Sequence, residues 1–297
     1  NTYTLSQSFY VPYVLRVYMS FIRKLSGGLA YHLPAVVIRR ASRRYIGGYS
    51  VEDGLSNIRR LQEESAQEYG RPIGVTIDLL AERARTVDEG HTNLEAYLDL
   101  MKRMSTENVL RGGKTRSTSL IEFSVKPSSI ADFADDADSH RGNSPGNSAG
   151  TFLRSDSLLL DQMELLCDAA RQYDFVITQD MEDSRFTEVS LNAAQKLWLR
   201  GFTNADIVLQ TCLHRTNKDI ESYLVQPSYP LSPSDIGVRL CRGIYPEPTE
   251  RAITNKNEAK KLIVDYGLEL IERGIYVKFA THDPTTPNRQ GNDGAES

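Results

Sequence analysis

The segment FVITQDMEDS, residues 175–184, joins an apolar run to a carboxylate and a turn. The apolar run predicts a buried β-strand, and Asp180 lies where that strand gives way to a loop. A charge next to a buried strand is costly unless it is paired or used. The segment therefore predicts a strand whose carboxyl end carries a carboxylate with a specific task.

Five further segments repeat this pattern of a short strand followed by polar residues. They are residues 73–80 with Asp78 and Glu82, 117–127 with Lys126, 205–213 with Gln210, 235–243 with Arg239 and Arg242, and 275–282 with His282. Helical periodicity predicts helices at residues 93–104, 158–172, 188–200, 217–224 and 257–273. Alternating strands and helices are typical of parallel βαβ units, and active sites of TIM-type barrels lie at the carboxyl ends of the strands. We expect an α/β fold of the (βα)8 TIM type, with a doubly wound open sheet as the alternative.

The rest of the chain is organised around this region. Residues 1–70 are expected to form an N-terminal helical arm, and residues 71–284 are expected to form the barrel domain. Residues 131–157 are acidic and then rich in Gly, Ser and Asn, so we expect a mobile insertion there. The polar tail 285–297 is expected to be disordered. With six strands visible, the barrel is expected to be incomplete.

Composition narrows the function classes. A chain of 297 residues suffices for one barrel, and its net charge of −4 gives no reason to expect nucleic-acid binding. Its three cysteines are too few and too scattered for a disulfide framework, which suits a cytoplasmic location. Residues 10–22 are apolar but too short to span a bilayer. They could pack on the barrel, lie on a membrane surface or belong to a signal segment.

Two candidate site residues follow neighbouring strands. Lys126 precedes Pro127, which ends the strand ladder. Such a lysine can form a Schiff base, pair with a carboxylate such as Asp180 or Glu82, or extend its charge to the surface. Asp180 is expected in the site, whereas Asp183 is expected to cap the helix that follows.

The segment VRLCRGIYPEP, residues 238–248, has the highest density of candidate residues. Arg239 and Arg242 point to opposite faces if the strand continues, so only one points inward unless the strand ends at Cys241. Gly243 allows backbone to approach a ligand, and Tyr245 adds a hydroxyl group. Arginine suits carboxylates, phosphates or an electron-rich cofactor ring, although a structural ion pair is the alternative.

The remaining signals are weaker. Gln210 and His282 could both be hydrogen-bonded core residues, and no spacing of histidines predicts a metal site. Neither GxGxxG nor GxxxxGK[ST] occurs. The residues by themselves therefore predict a barrel with a pocket lined by carboxylates and arginines.

Six segments match the motifs of a known family: TIDLLAE, SVKPS, TQDMEDS, IVLQTCLHRT, VRLCRGIYPEP and FATHDP. Together they resemble the proline dehydrogenase family of the bacterial monofunctional type. The resemblance covers roughly residues 74–284. It implies a distorted (βα)8 barrel with FAD bound at the carboxyl ends of the strands. It also implies oxidation of L-proline to Δ1-pyrroline-5-carboxylate, with a hydride passed to flavin N5. It also implies electron delivery to a quinone, and hence peripheral contact with the inner face of the cytoplasmic membrane.

The resemblance also implies a role for each matching residue. Lys126 and Asp180 would lie at the proline site as charged residues, Tyr245 would shape it, and Glu82 would close it through an ion pair. The flavin contacts would be Gln210, Arg239, Arg242, Gly243, Thr281 and His282.

Three departures from the family pattern stand out. Arg242 replaces a lysine, Ala81 replaces a glycine, and no YxxRR element follows His282. The arginine pair of that element would clamp the carboxylate of proline, so we expect impaired turnover. The alternatives are a non-catalytic barrel that acts as a binding or scaffold protein, and a lyase that uses Lys126 as a Schiff base.

Overall fold

A computed structural model of the protein describes residues 5–6, 46–48, 50–79, 81, 83–107, 119–131 and 156–281. Two short strands, β1 (Leu5–Ser6) and β2 (Ile46–Gly48), pair in antiparallel fashion. The main sheet contains six strands: β3 (Val75–Asp78), β4 (Ile121–Val125), β5 (Val176–Gln179), β6 (Ala205–Gln210), β7 (Gly237–Cys241) and β8 (Tyr276–Ala280). Each pairs in parallel with the next along the chain, and the sheet curls into a half-barrel.

Helices accompany these strands. They are α1 (Val51–Tyr69), α2 (Val87–Thr106), α3 (Pro127–Ile130), α4 (Asp156–Arg171), α5 (Thr187–Leu199), α6 (Thr216–Asp219) and α7 (Lys256–Glu272). Short polar side chains start three of the long helices. Ser50, Thr86 and Asn255 accept backbone N–H groups of the first turns of α1, α2 and α7, which satisfies donors that have no partner within the helix. Within the described residues, no helix is both long enough and apolar enough to cross a membrane.

Large buried side chains fasten the helices to the sheet. Trp198 of α5 is fully buried, and its Nε1 donates to the carbonyl of Ala205 in β6 at 2.9 Å. Tyr97 of α2 is also fully buried, and its hydroxyl donates to the carbonyl of Ser124 in β4 at 3.1 Å. Each ring therefore adds apolar contact area while its polar atom is satisfied. These contacts hold the strands, and so the side chains inside the barrel, in place.

The sequence prediction of a partial TIM-type barrel is confirmed. The strand order follows the chain without the reversal that defines a doubly wound sheet, so that alternative is wrong. All six predicted strands form. Helix α2 begins at Val87, six residues earlier than residue 93, because Thr86 caps it. The helix predicted at residues 217–224 is divided into α6 and a π-helix, Ile220–Val225.

The other predicted regions are only partly described. Helix α1 lies within the predicted helical arm, but residues 46–48 form a strand where the sequence predicted helix. Helix α4 begins at Asp156, at the end of the predicted insertion 131–157. Most of the insertion, the tail 285–297 and residues 10–22 lie outside the described residues.

Candidate active site

The carboxyl ends of β3, β4 and β5 bring three charged residues together. The Lys126 ammonium, directly after β4, lies 4.0 Å from a carboxylate oxygen of Asp78 at the end of β3. Asp180 follows β5, and its N–H donates to the carbonyl of Val125 at 2.8 Å. Because Val125 precedes Lys126, this bond holds the backbone of Asp180 next to the lysine. The sequence analysis predicted that Lys126 and Asp180 lie together at adjacent strand ends.

Tyr245, in the loop after β7, lies close enough to nearby carboxylates for their charges to shift the pKa of its hydroxyl. Burial raises the pKa of its hydroxyl to about 12, and the carboxylates of Glu182 and Asp180 add to the rise. A tyrosine with that pKa is protonated at neutral pH and can donate a hydrogen bond. The loop after β7 therefore contributes a donor beside a carboxylate group.

The DMEDS loop after β5 is fixed from two sides. The Glu182 carboxylate accepts the backbone N–H of Ser128 at 3.1 Å and also the Ser128 hydroxyl. The backbone carbonyl of Glu182 accepts the Gln210 amide at 2.6 Å. Burial raises the pKa of the Glu182 carboxyl, although the bonds from Ser128 oppose that rise. The loop is thus tied to the start of α3 and to the end of β6.

Asp183 does not cap the following helix, so that prediction is wrong. Helix α5 begins at Thr187, and the residue before it is Phe186, which makes no side-chain cap. The Asp183 carboxylate instead accepts the backbone N–H of Arg185 at 3.0 Å and its side-chain Nε at 2.9 Å. An adjacent arginine offers several donors to one carboxylate, and this local pairing replaces the cap.

Arg239 points into the barrel, and Arg242 lies beyond the strand. Strand β7 ends at Cys241, the condition under which the sequence pattern allowed both arginines near the site. The Arg239 guanidinium donates to the Ser124 hydroxyl at 3.1 Å and to the Glu122 carboxylate. The Arg242 Nε contacts the carbonyl of Gly243 at 3.3 Å. Only Arg239 is therefore anchored inside the barrel by side chains.

Sequence reasoning missed a polar cluster around Arg239, formed by Glu122, Thr178, Asp206 and Lys278. The Lys278 ammonium donates to Glu122 at 2.6 Å, to Asp206 at 2.7 Å and to the Thr178 hydroxyl at 3.1 Å. The Thr178 hydroxyl donates to Glu122 at 2.5 Å. The available signal was period-two spacing, since Glu122 and Ser124, like Thr178 and Asp180, share one face of a strand.

The charges in this cluster stabilise one another. Burial by itself would raise the pKa of Glu122, but the Lys278 ammonium and the Arg239 guanidinium lower it to about 2. Glu122 is therefore ionised at neutral pH. Two cations and two carboxylates share the barrel interior, which reduces the cost of burying each one.

Gly243 is required by its surroundings. Its φ is +100°, a conformation that L side chains rarely adopt. A Cβ atom there would lie 2.8 Å from Oε1 of Gln210 and would overlap the sulfur of Cys212. The turn after β7 consequently packs directly on the buried Gln210 side chain.

The residues around Arg239 suit an electron-rich planar ring. Arg239 supplies a cation, Gln210 a buried amide, and Gly243 a backbone segment without a side chain. Thr281 follows β8 directly, whereas Glu82 and His282 lie outside the described residues. Within the described ranges, no group of three or more His, Cys, Asp or Glu residues could hold a metal ion.

Comparison with known proteins identifies the family of the chain. The family model described as proline dehydrogenase matches residues 61–286. Proline dehydrogenase 1 of Bacillus subtilis strain 168 is 26% identical over 249 residues, which cover 82% of this chain and 66% of the relative. The protein of the same name from Bacillus subtilis subsp. natto matches to the same extent. The chain thus spans just under two thirds of the length of these relatives.

Solved structures show the same fold. Proline utilization A from Bdellovibrio bacteriovorus, inactivated by N-propargylglycine, aligns with a TM-score of 0.55 and 17% identity over 77% of this chain and 24% of its own. A variant of proline utilization A from Bradyrhizobium japonicum aligns with a TM-score of 0.57 and 19% identity, over 84% and 26% respectively. Because the family model matches well over half of its residues, the chain belongs to the proline dehydrogenase family.

Proposed function

We propose that this chain oxidises L-proline to Δ1-pyrroline-5-carboxylate with FAD as its cofactor. The observation that carries the proposal is the placement of Arg239. This cation is anchored inside the barrel, below strand ends that carry Lys126 and Asp180. The barrel interior around Arg239 thus suits a ring that gains negative charge, and the strand ends suit an amino acid.

The substrate side would use opposite charges. The Lys126 ammonium would pair with the carboxylate of proline, and the Asp180 carboxylate with its ring amine. Tyr245, protonated because its pKa is about 12, would donate a hydrogen bond and limit the pocket. Glu82 would close the pocket through an ion pair, as the family resemblance implies.

The cofactor side would use residues of β6 and β7 and of the segments that follow β7 and β8 in the chain. FAD, when bound, supplies the hydride acceptor and carries the two electrons onward. The Arg239 guanidinium would stabilise negative charge that develops on the ring during transfer. The other residues proposed to contact FAD are Gln210, Arg242, Gly243, Thr281 and His282.

The decisive experiment is an absorbance measurement on the purified chain. We expect a flavin band that bleaches when L-proline is added without oxygen, and that does not bleach with an equal concentration of glycine. Reduction of a soluble quinone or dye with L-proline would follow. A chain that acquires no flavin when FAD is supplied would contradict the proposal.

We also propose a quinone as the electron acceptor and a peripheral contact with the cytoplasmic face of the membrane. A quinone dissolved in a bilayer requires that the reduced protein approach the membrane surface. The apolar residues 10–22 are the proposed contact. The test compares co-sedimentation of the full chain and of a chain lacking residues 1–24 with liposomes. Equal binding would assign residues 10–22 to packing instead.

A catalytically impaired barrel that binds a partner is the second candidate. It is favoured by Arg242, which stands where the family has a lysine and so keeps the charge but changes the geometry of the donor. Flavin binding without proline-dependent bleaching would support it. Restoration of proline-dependent bleaching by Arg242→Lys would argue against a purely structural role.

A further inference from the structure

The Glu122 carboxylate bridges two partly buried cations inside the barrel. One oxygen accepts the Arg239 guanidinium and the Thr178 hydroxyl, and the other accepts the Lys278 ammonium at 2.6 Å. The side chains of Glu122, Arg239 and Lys278 are 14%, 15% and 20% exposed. Solvent therefore screens this contact weakly, and each charge acts strongly on its neighbours.

The second carboxylate of the cluster has a different position. Asp206 is fully buried, and it is held by the Lys278 ammonium at 2.7 Å. Its charge balances the cluster, but the carboxylate that pairs with the Arg239 guanidinium is that of Glu122. The two acids therefore differ in contact while they contribute equal charge, and this difference can be tested.

We propose that Glu122 is a positioning residue for Arg239. It fixes the direction of the guanidinium and reduces the positive charge that Arg239 presents to the flavin. This inference rests on the proposed function, because it assigns Arg239 to the flavin ring.

The geometry supports both parts of the role. The Arg239 guanidinium is held at two of its nitrogens, by Ser124 at 3.1 Å and by Glu122, and this leaves it little freedom to rotate. Glu122 is itself held by Lys278 and Thr178, so it does not follow the arginine if the arginine moves. An ionised carboxylate in contact with a guanidinium also opposes the stabilisation of negative charge nearby.

The test is the midpoint potential of bound FAD in the full chain, measured by equilibration with a reference dye. Glu122→Gln keeps the shape and an acceptor oxygen but removes the charge. We expect its reduction equilibrium to become more favourable by about tenfold, a positive shift of about 30 mV for a two-electron couple. Asp206→Asn is the matched control, because it removes one buried negative charge and leaves the Glu122–Arg239 contact in place. We expect it to shift the equilibrium less than threefold.

The outcomes separate the inference from the function on which it rests. Equal shifts in the two variants, or no shift in Glu122→Gln, would overturn the role of Glu122 while flavin binding and bleaching by proline still stood. If the unaltered chain binds no FAD, the proposed function and the inference both fail.

A second pair of variants covers a failure of Glu122→Gln to fold. The double variant Glu122→Gln with Lys278→Gln removes one charge of each sign and so keeps the cluster balanced. Its potential should lie above that of Lys278→Gln alone, because only the double variant frees Arg239 from its carboxylate. A potential equal to or below that of Lys278→Gln would overturn the inference.

Discussion

Glu247 binds Ser184 through two hydrogen bonds that join loops 63 residues apart in the sequence. The backbone N–H of Ser184 donates to one carboxylate oxygen at 2.6 Å, and its hydroxyl donates to the other at 2.7 Å. Ser184 belongs to the DMEDS loop after β5, and Glu247 to the loop after β7 that carries Tyr245. This pair therefore fixes the distance between the two loops that would enclose the substrate.

Replacing Glu247 with Ala should loosen both loops. The loss of two charge-assisted hydrogen bonds is expected to reduce the free energy of unfolding by about 1–3 kcal/mol. The KM for proline should rise more than kcat falls, because in the proposed function these loops would position the substrate. Urea unfolding and steady-state kinetics would measure both effects. Glu250→Ala is the control, since that side chain is exposed and accepts a hydrogen bond from the neighbouring Thr249 hydroxyl. Equal KM values for the two variants would contradict this role.

Gly243→Ala should destabilise the chain by more than Gly201→Ala. Both glycines have a positive φ, of +100° and +81°, so both substitutions introduce backbone strain of roughly 1–2 kcal/mol. A Cβ at Gly201 meets no atom within 4 Å, whereas at Gly243 it would meet Gln210 and Cys212. The difference between the two free energies of unfolding measures this close approach. Equal losses would show that the turn can move away from β6.

Stability should fall in acid partly through Glu122. The folded pKa of this group is about 2, below its ordinary value of 4.5. A group with a lowered folded pKa adds stability above its ordinary pKa and loses it as pH falls toward the folded pKa. The contribution is therefore complete above about pH 4.5 and disappears toward pH 2. Urea unfolding between pH 6 and pH 2.5 should show a steeper loss in the unaltered chain than in Glu122→Gln. Parallel curves would contradict the low pKa.

Lys126→Met should lower kcat/KM for proline by about 10- to 100-fold, the cost of one hydrogen bond to a charged group. Lys102→Met, on the exposed face of α2, should leave kcat/KM unchanged. The same preparations test the Schiff-base alternative. Borohydride with a keto acid such as pyruvate should give no change in mass, and an adduct that disappears in Lys126→Met would instead support the lyase.

The fold was predictable because its signals are local. Each strand is a short apolar run between turn residues, and each long helix shows its own periodicity. The grouping of Lys126 with Asp180 was also predictable, since parallel strands end on one side of a sheet. These conclusions need no knowledge of which side chains meet across the barrel.

The interior cluster was not predictable in the same way. Glu122 contacts Arg239 and Lys278 across 117 and 156 residues of sequence, and these contacts depend on strand register. Arg239 pairs in register with Lys278, and Thr178 pairs in register with Asp206. No local sequence signal specifies that register. The prediction that Asp183 caps α5 was wrong because Arg185, two residues away, donates its backbone N–H to the Asp183 carboxylate.

The strand order has a consequence for how the protein is made. Each of the strands β4 to β8 pairs with the strand that precedes it in the chain. During synthesis on the ribosome, each of these strands therefore finds its partner already emerged, and none of these five waits for a later strand to fill a gap between its neighbours. Arg239 follows this order too, since Glu122 and Ser124 are synthesised before it and can receive its guanidinium as β7 docks.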